Sequence, residues 1–373
     1  LKVGQMLSAR PNLLPAAFVR ELSKLQDAAP ALTFDQVAHA IEHELGKPVE
    51  QLFASFERVP LAAASIGQVH RARLHDGREV AVKVQRPGLS ELVATDLELL
   101  ALFVAALAER LPPIDLDTVV RETRAMIWAE LDYQREATLT QRAAEFFASD
   151  PKIVVPSVVR ELSSARVLTT TFMEGEKITL VLDRLRADES REATTALLVR
   201  VLEAYVRQAL ELGFFQADPH PGNLLAREDG TLIVLDFGCT KALDRAQLRT
   251  LIDLARAFVA KDADQMAHAL AQLGFATLRG THEGVRRYAQ TVLDEVGVVK
   301  ARGGDWPSQV EALSQLTVMT RAIESDPVVR LPEEFVMLGR VFGTLSGLFL
   351  HYRPDVAAAA RILPLVLSAL ASA

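Results

Sequence analysis

Short apolar runs in the first half of the chain predict a small set of β-strands. Residues 71–74 and Glu79–Gln85 flank His75-Asp76-Gly77, a sequence typical of a hairpin turn. Residues 152–156 and 166–172 are further short runs and are also predicted as strands. The pattern therefore indicates a small β-containing unit.

Longer segments predict helices on both sides of these strands. Residues 1–57 are expected to be helical, and Thr33 with Gln36 forms a helix start of the capping-box type. Residues 89–110 and 116–147 have the pattern of amphipathic helices.

The second half of the chain is predicted to be mainly helical. Its one expected strand pair consists of residues 223–226 and 231–236. We therefore divide the chain into a helical extension at 1–57, a small lobe at 58–175 and a helical large lobe at 176–373. The predicted fold class is α+β with two lobes.

Composition narrows the class of function. The net charge of −7 and the pI near 5.7 argue against a nucleic-acid-binding surface. A single cysteine, Cys239, excludes a disulfide framework within the chain, and we expect it to be a small packed residue.

No signal peptide is visible, and the apolar runs are too short or too interrupted to span a bilayer. Because the chain begins with Leu1, we expect it to be a domain cut from a longer protein.

The most specific chemistry lies in Asp218-Pro219-His220-Pro221-Gly222-Asn223 and in Asp236-Phe237-Gly238. Phosphoryl transfer from ATP uses one carboxylate at the attacking hydroxyl, and an amide oxygen and a second carboxylate on magnesium. The alternative is a Pro/Gly turn in which Asp218 and Asn223 are turn residues. Kinase spacing, with a strand before Asp236, favours phosphotransfer.

Lys83 lies in the middle of an apolar strand, where a lysine is costly unless it has a partner. It matches the kinase lysine that holds the α- and β-phosphates. Upstream, residues 62–65 read Ala-Ala-Ala-Ser where a kinase carries its glycine-rich loop. Alanine resists the positive φ angles that glycine adopts, so we expect a stiffer nucleotide loop.

Four motifs together make the chain resemble the AarF/UbiB/ADCK family of atypical kinases. They are Lys2-Val3-Gly4-Gln5, the alanine loop, Glu130-Leu131-Asp132, and Asp218 to Asn223 with Asp236. The resemblance covers nearly the whole chain. It implies a protein-kinase-like fold with a small β-containing lobe, a mainly helical large lobe and a helical N-terminal extension.

The resemblance also implies ATP and Mg²⁺ as cofactors and a role for each site residue. Catalysis is assigned to Asp218, Lys83 and Glu136, with Lys83 and Glu136 paired, and the metal to Asn223 and Asp236. The residues expected to contact the nucleotide are Lys2, Gln5, Ala62, Ala63, Ala64, Ser65, Lys83, Glu130, Asp132, Thr171 and Met173. Adenine is expected at residues 170–173, and Glu130 near Lys2 or Gln5.

Two departures from protein kinases bear on the substrate. The catalytic loop reads Gln216-Ala217-Asp218, so it has no arginine to receive an activation-loop phosphate. After Gly238 the chain passes almost directly into a predicted helix at residues 243–260, which leaves no room for a long activation segment. We expect the extension carrying Lys2 and Gln5 to fold over the cleft and exclude bulky protein substrates. His220 either orients Asp218 or has a structural role in the turn.

Three functions stay open from the sequence. The first is an atypical kinase or ATPase that supports ubiquinone or other isoprenoid-lipid metabolism. The second is a small-molecule phosphotransferase of the aminoglycoside or choline kinase type, and the third an ATP-gated scaffold with little catalysis. The expected partners are ATP, an isoprenoid lipid or membrane surface, and lipid-biosynthesis proteins, with no nucleic acid. The expected location is the cytoplasmic face of a bacterial membrane or the cytoplasm.

Overall fold

The computed structural model describes residues 31–63, 66–107, 116–301, 326, 328–330 and 333–355. Predictions for the remaining residues, including Lys2, Gln5, Ala64 and Ser65, lie outside these ranges. The described residues form an α+β fold with a small antiparallel sheet and a mostly helical remainder.

The elements are named here in chain order. The strands are β1 Ser55–Phe56, β2 Ala62–Ala63, β3 Gly67–Arg73, β4 Glu79–Gln85, β5 Ile153–Val154, β6 Val167–Thr171, β7 Glu176–Lys177, β8 Phe214–Gln216, β9 Leu224–Ala226, β10 Leu232–Val234, β11 Thr240–Ala242, β12 Ala276–Thr277 and β13 Val328–Arg330. The helices are α1 Phe34–Leu45, α2 Val49–Leu52, α3 Leu89–Leu107, α4 Leu116–Glu130, α5 Tyr133–Phe146, α6 Ile178–Ala187, α7 Arg191–Arg207, α8 Arg245–Ala260, α9 Ala263–Gln272, α10 His282–Ala301 and α11 Glu333–Tyr352.

The first sheet has the order β1-β3-β4-β6, with β2 also paired to β3. The predicted hairpin is present, because β3 and β4 pair from Gly67 opposite Gln85 to Arg73 opposite Glu79. Helix α1 begins with the predicted capping box of Thr33 and packs on the sheet. Alternate β4 residues reach this core, because side chains alternate between the faces of a strand. One face of β4 is thereby left for other contacts.

The second sheet has the order β5-β10-β9-β7 and contains the strand pair predicted near residues 223–236. Its β5 strand pairs in parallel with β10, although residues 152–156 were assigned to the small lobe by sequence. A further pair, β8 with β11, was not predicted. The boundaries at 57/58 and 175/176 stay predictions.

The prediction of one helix over residues 116–147 is wrong. The helix breaks at Leu131 and Asp132, which separate α4 from α5. The Asp132 carboxylate accepts the backbone N–H groups of Gln134 (3.1 Å) and Arg135 (3.0 Å), and thereby starts a new helix. The amide of Gln85 also donates to the carbonyl of Leu131 at 2.8 Å, which ties the break to β4.

The helical part follows the predicted pattern more closely. The helix expected at residues 243–260 is present as α8, which begins with a capping box of Asp244 and Gln247. Gly343 and Gly347 on α11 are exposed. A Cβ added at either glycine would meet no atom within 4 Å, so neither position requires glycine for close packing.

Candidate active site

Lys83 lies on the face of β4 opposite the valine core. Val80, Val82 and Val84 are fully buried, whereas the Lys83 side chain is 18% exposed. The alternation of the strand therefore delivers a single ammonium group to the side facing α5. Its Nζ lies 4.9 Å from the centre of the Tyr133 ring, within the range of a cation–π contact.

Glu136, in the first turn of α5, supplies the closest counter-charge. The Nζ of Lys83 donates to Oε1 at 2.8 Å and to Oε2 at 2.9 Å, and the Glu136 side chain is 3% exposed. The contact implied by the family resemblance is therefore present. Burial alone would lower the pKa of Lys83, but the carboxylates of Asp236 and Glu136 outweigh it and hold that pKa above its ordinary value.

Asp236 follows β10 and brings a second carboxylate to the same lysine. Its Oδ2 lies 3.2 Å from the Nζ of Lys83, and its Oδ1 accepts the N–H of Gly238 at 2.7 Å. A Cβ added at Gly238 would lie 3.1 Å from Oε2 of Glu136 and 3.2 Å from Oδ1 of Asp236. Glycine at this position lets two carboxylates approach closely. We call residues 236–240 the Asp236 segment.

Asn223 is held between Asp218 and the strand that leads to Asp236. Its Nδ2 donates to the backbone carbonyl of Asp218 at 3.5 Å. Its own carbonyl accepts the N–H of Leu235 at 3.0 Å, one residue before Asp236. Asp218, Asn223 and Asp236 are all partly buried. A backbone hydrogen bond thus joins the loop to the end of β10.

His220 has a structural role in the loop between Asp218 and Asn223. Its Nδ1 accepts the N–H of Gly222 at 3.0 Å and so caps the 3₁₀ turn Pro221–Asn223. The imidazole is otherwise exposed. Of the two roles considered from sequence, this geometry matches the turn-stabilising one.

The hydroxyl of Tyr205 is buried near this region, and its pKa is raised. Burial is the main cause that raises its pKa well above the ordinary value, and the nearby carboxylates of Asp218 and Asp236 add to the shift. Its hydroxyl donates to Oε1 of Gln216.

The alanine loop begins as β2, where Ala62 pairs with Val69 and Ala63 with Gln68. Both alanines are exposed, and Ala64 and Ser65 lie outside the described residues. Just after the loop, a Cβ at Gly67 would lie 2.3 Å from the Val84 carbonyl oxygen. The start of β3 is thus packed too closely for any side chain. Contact between the loop and a nucleotide stays a prediction.

The remaining predicted nucleotide contacts differ in their surroundings. Glu130 is buried at the end of α4, whereas Asp132 is exposed and caps α5. Thr171 is partly buried, and its N–H already donates to the carbonyl of Ser157 at 2.9 Å. Met173, two residues on, is also partly buried. Adenine recognition here stays a prediction, and the Thr171 N–H is already used within the protein.

Three residues beside this site were given no functional role by sequence reasoning: Tyr133, Arg135 and Gln216. Tyr133 packs under Lys83, Arg135 donates to carbonyls of the Asp236 segment, and Gln216 donates to the carbonyl of Asp236. Each lies within three residues of a predicted site residue. Sequence proximity was the available signal, but it does not say which neighbours turn inward.

Residues 24–270 match the model of the ABC1 atypical kinase-like domain. The chain belongs to this ABC1 family. This is the same ABC1/UbiB/ADCK group that the sequence motifs resemble, so the family prediction is confirmed.

Relatives of this ABC1 family member are found in Synechocystis sp. and Arabidopsis thaliana. A Synechocystis protein is 37% identical over 362 residues, covering 95% of this chain and 60% of its own. ACTIVITY OF BC1 COMPLEX KINASE 7, chloroplastic, from Arabidopsis is 37% identical over 353 residues, covering 93% of this chain and 49% of its own. The chain thus spans about half the length of these relatives.

A similar solved structure is that of Rv3197 from Mycobacterium tuberculosis in complex with erythromycin. It aligns with a TM-score of 0.65 and 26% identity, over 96% of this chain and 90% of that one. Together with the family match, this similarity confirms the kinase-like fold predicted from sequence.

The donor set of this ABC1 site fits a magnesium–nucleotide complex. Magnesium at nucleotides keeps several waters and takes one or two protein carboxylates plus phosphate oxygens. Asp236 offers a carboxylate and Asn223 an amide oxygen, which are ligands of this kind, and the Nζ of Lys83 lies 3.2 Å from Oδ2 of Asp236. Within the described residues, no three His, Cys, Asp or Glu side chains group as a metal site. In the same part of the chain, no helix has the length and apolar character needed to cross a membrane.

Proposed function

We propose that this ABC1 family member binds MgATP between the first sheet and the Asp236 segment and transfers or hydrolyses its γ-phosphate. The observation that carries the proposal is the position of Lys83, within hydrogen-bond reach of both Glu136 and Asp236. This arrangement places one cation between a helix carboxylate and a carboxylate suited to metal. In kinase-like proteins, these groups hold phosphate and magnesium.

The residues divide this task by their chemistry. Lys83, fixed by Glu136, offers its ammonium to the nucleotide phosphates. Asp236 and Asn223 supply oxygen ligands, and bound magnesium would neutralise charge on the phosphate oxygens. Asp218 orients the attacking hydroxyl or water and accepts its proton. No activation segment is needed for this arrangement.

Binding and turnover in three variants test this assignment. Lys83→Met should lower MgATP affinity, because the phosphates lose a cation. Asp218→Asn should keep MgATP affinity and lose most phosphate release, because only the orienting carboxylate changes. Lys47→Met, an exposed lysine between α1 and α2, is the matched control and should change neither. Equal affinity in the Lys83→Met and wild-type proteins would contradict the proposal.

We further propose an acceptor or activator in isoprenoid-lipid metabolism, including ubiquinone biosynthesis, at the cytoplasmic face of a bacterial membrane. Support comes from the family resemblance alone. The test is phosphate release with vesicles of anionic phospholipid, with and without an added polyprenyl phenol. Stimulation that is lost in Asp218→Asn supports a lipid-linked kinase or ATPase. ATP binding without turnover under every condition would instead favour the ATP-gated scaffold.

A small-molecule acceptor is a second candidate, favoured by one comparison. The M. tuberculosis structure similar to this chain contains erythromycin. Erythromycin titrated into this protein, followed by mass spectrometry after incubation with MgATP, tests both binding and phosphorylation. A mass increase of one phosphoryl group would support the small-molecule phosphotransferase. Absence of erythromycin binding to this protein would leave the small-molecule candidate without support.

A further inference from the structure

The Asp236 segment folds as a tight turn that carries the candidate metal ligand. The N–H of Gly238 donates to Oδ1 of Asp236 at 2.7 Å, and the hydroxyl of Thr240 donates to the carbonyl of Phe237 at 2.6 Å. The position of the Asp236 carboxylate therefore depends on how the whole turn is held.

The inner side of the turn is anchored by the large lobe. Phe237 is fully buried, and its ring centre lies 6.4 Å from that of Phe214 in an edge-on arrangement. The amide Nε2 of Gln216 donates to the carbonyl of Asp236, and its Oε1 accepts the hydroxyl of Tyr205. These contacts fix the start of the segment.

The outer side of the turn is anchored by α5. The guanidinium of Arg135 donates through Nη1 to the carbonyl of Gly238 at 3.4 Å and through Nη2 to that of Thr240 at 2.6 Å. Arg135 is partly buried. A planar guanidinium with two donors fixes both distance and orientation, which a single ammonium does not.

Arg135 immediately precedes Glu136 on α5. Neighbouring residues on a helix project about 100° apart, so the two side chains leave α5 in different directions. Glu136 reaches Lys83 on β4, while Arg135 reaches the Asp236 segment. A displacement of α5 would therefore disturb the lysine and the metal-bearing turn together.

We propose that Arg135 is a positioning residue that couples α5 to the Asp236 segment and so sets the magnesium affinity of the site. Without its two hydrogen bonds, the turn keeps its inner anchors but loses the outer one. The Asp236 carboxylate then samples more positions, and metal binding has to order it. The proposal rests on the proposed MgATP site for its metal readout, and its structural readout is independent of any ligand.

The experiment compares Arg135→Met, Arg135→Lys and the control Arg191→Met, an exposed arginine at the start of α7. Three quantities are measured: the Mg²⁺ concentration that half-saturates binding of a fluorescent ATP analogue, the affinity for that analogue in EDTA, and hydrogen–deuterium exchange at residues 236–240 in ligand-free protein. A melting temperature checks that each variant is folded.

For Arg135→Met, the half-saturating Mg²⁺ concentration should rise about tenfold, equivalent to about 1.4 kcal/mol. The affinity in EDTA should stay within about twofold, because Lys83 and Glu136 are untouched. Exchange at residues 236–240 should accelerate. Arg135→Lys keeps the charge but replaces the two-nitrogen fork with one ammonium nitrogen, so its changes should be smaller. Arg191→Met should match the wild type.

Unchanged Mg²⁺ dependence and exchange in a folded Arg135→Met protein would overturn the inference. An equal loss of affinity with and without metal would also overturn it, since that indicates a general structural role. If Arg135→Met does not fold, Arg135→Lys decides by the same two readouts. Failure of the proposed function is recognised separately: neither wild type nor Asp236→Asn would then show Mg²⁺-dependent binding, while exchange would still report on Arg135.

Discussion

The Nζ of Lys83 lies 2.8 and 2.9 Å from the two carboxylate oxygens of Glu136, which is 53 positions later in the chain. The pair joins the first sheet to α5 at a point where the glutamate is almost fully buried. A third group, the Asp236 carboxylate, lies 3.2 Å from the same nitrogen. One ammonium group thereby connects a strand, a helix and the turn after β10.

Replacing Glu136 with glutamine should destabilise the fold and weaken ATP binding. Lys83 would lose its closest counter-charge but keep Asp236, so we expect a loss of about 1–3 kcal/mol in the free energy of unfolding. Urea denaturation measures this change. The control is Glu176→Gln, because Glu176 pairs with Arg184 at an exposed site and should matter little. Equal stability of Glu136→Gln and wild type would show that the pair does not support the fold.

Substitutions at Asp132 separate a helix cap from a nucleotide ligand. Asp132→Ala should cost about 1 kcal/mol of stability, because two N–H groups of α5 lose their acceptor. Asp132→Ser should restore most of that stability, since serine also caps helices. If the carboxylate also contacts the nucleotide complex, ATP affinity should stay low in Asp132→Ser. Full recovery of both quantities would limit Asp132 to capping.

Gly67→Ala should destabilise the first sheet. The added Cβ would lie 2.3 Å from the Val84 carbonyl oxygen and 3.0 Å from the Tyr133 hydroxyl, so the backbone of β3 must shift. We expect a loss of about 1–3 kcal/mol. As a control, Gly343→Ala meets no atom within 4 Å and should stabilise α11 by about 0.5–1 kcal/mol. Thermal denaturation of both variants checks the contrast, and similar melting temperatures would refute it.

His70 should make the first sheet sensitive to mild acid. It is fully buried, with Nδ1 2.8 Å from the Glu57 carbonyl and Nε2 2.9 Å from the Gln68 amide, contacts that suit a neutral ring. Burial is the main cause that lowers its pKa below the ordinary value of about 6.5. Below that value the unfolded chain binds a proton that the folded one resists. The contribution of the neutral His70 to the free energy of unfolding should therefore be fully present above pH 6.5 and should decrease as the pH falls below that value.

Urea denaturation at a series of pH values from about 7.5 to about 5.5, one unit on either side of the ordinary histidine pKa, measures this effect. His70→Asn is the comparison, because it has no group that titrates there. The wild type should lose more stability than the variant over this range. Parallel curves would show that His70 does not control the acid response.

Several parts of the fold and the site followed from local sequence. The capping box at Thr33, the hairpin around Gly77 and the strand pair near Asp236 each depend on a few neighbouring residues. The Lys83–Glu136 contact came instead from the family resemblance, since no local pattern links residues so far apart.

Other features depended on tertiary contacts that sequence patterns do not specify. The break before α5 needs the Asp132 cap and the Gln85 bond to Leu131, and the helical pattern continues across it. Arg135 looked like any polar residue on a helix, yet its donors reach carbonyls more than 100 positions later. Such contacts are set by how the elements pack.

The most direct test of the central claim measures ATP affinity with and without Mg²⁺, for the wild type and Asp236→Asn, by calorimetric titration. The claim is that Asp236 holds the metal of a nucleotide complex beside Lys83. Magnesium should therefore raise the affinity of the wild type at least about tenfold, a difference of about 1.4 kcal/mol, and should raise that of a folded Asp236→Asn protein far less. An equal increase in both proteins would contradict the account.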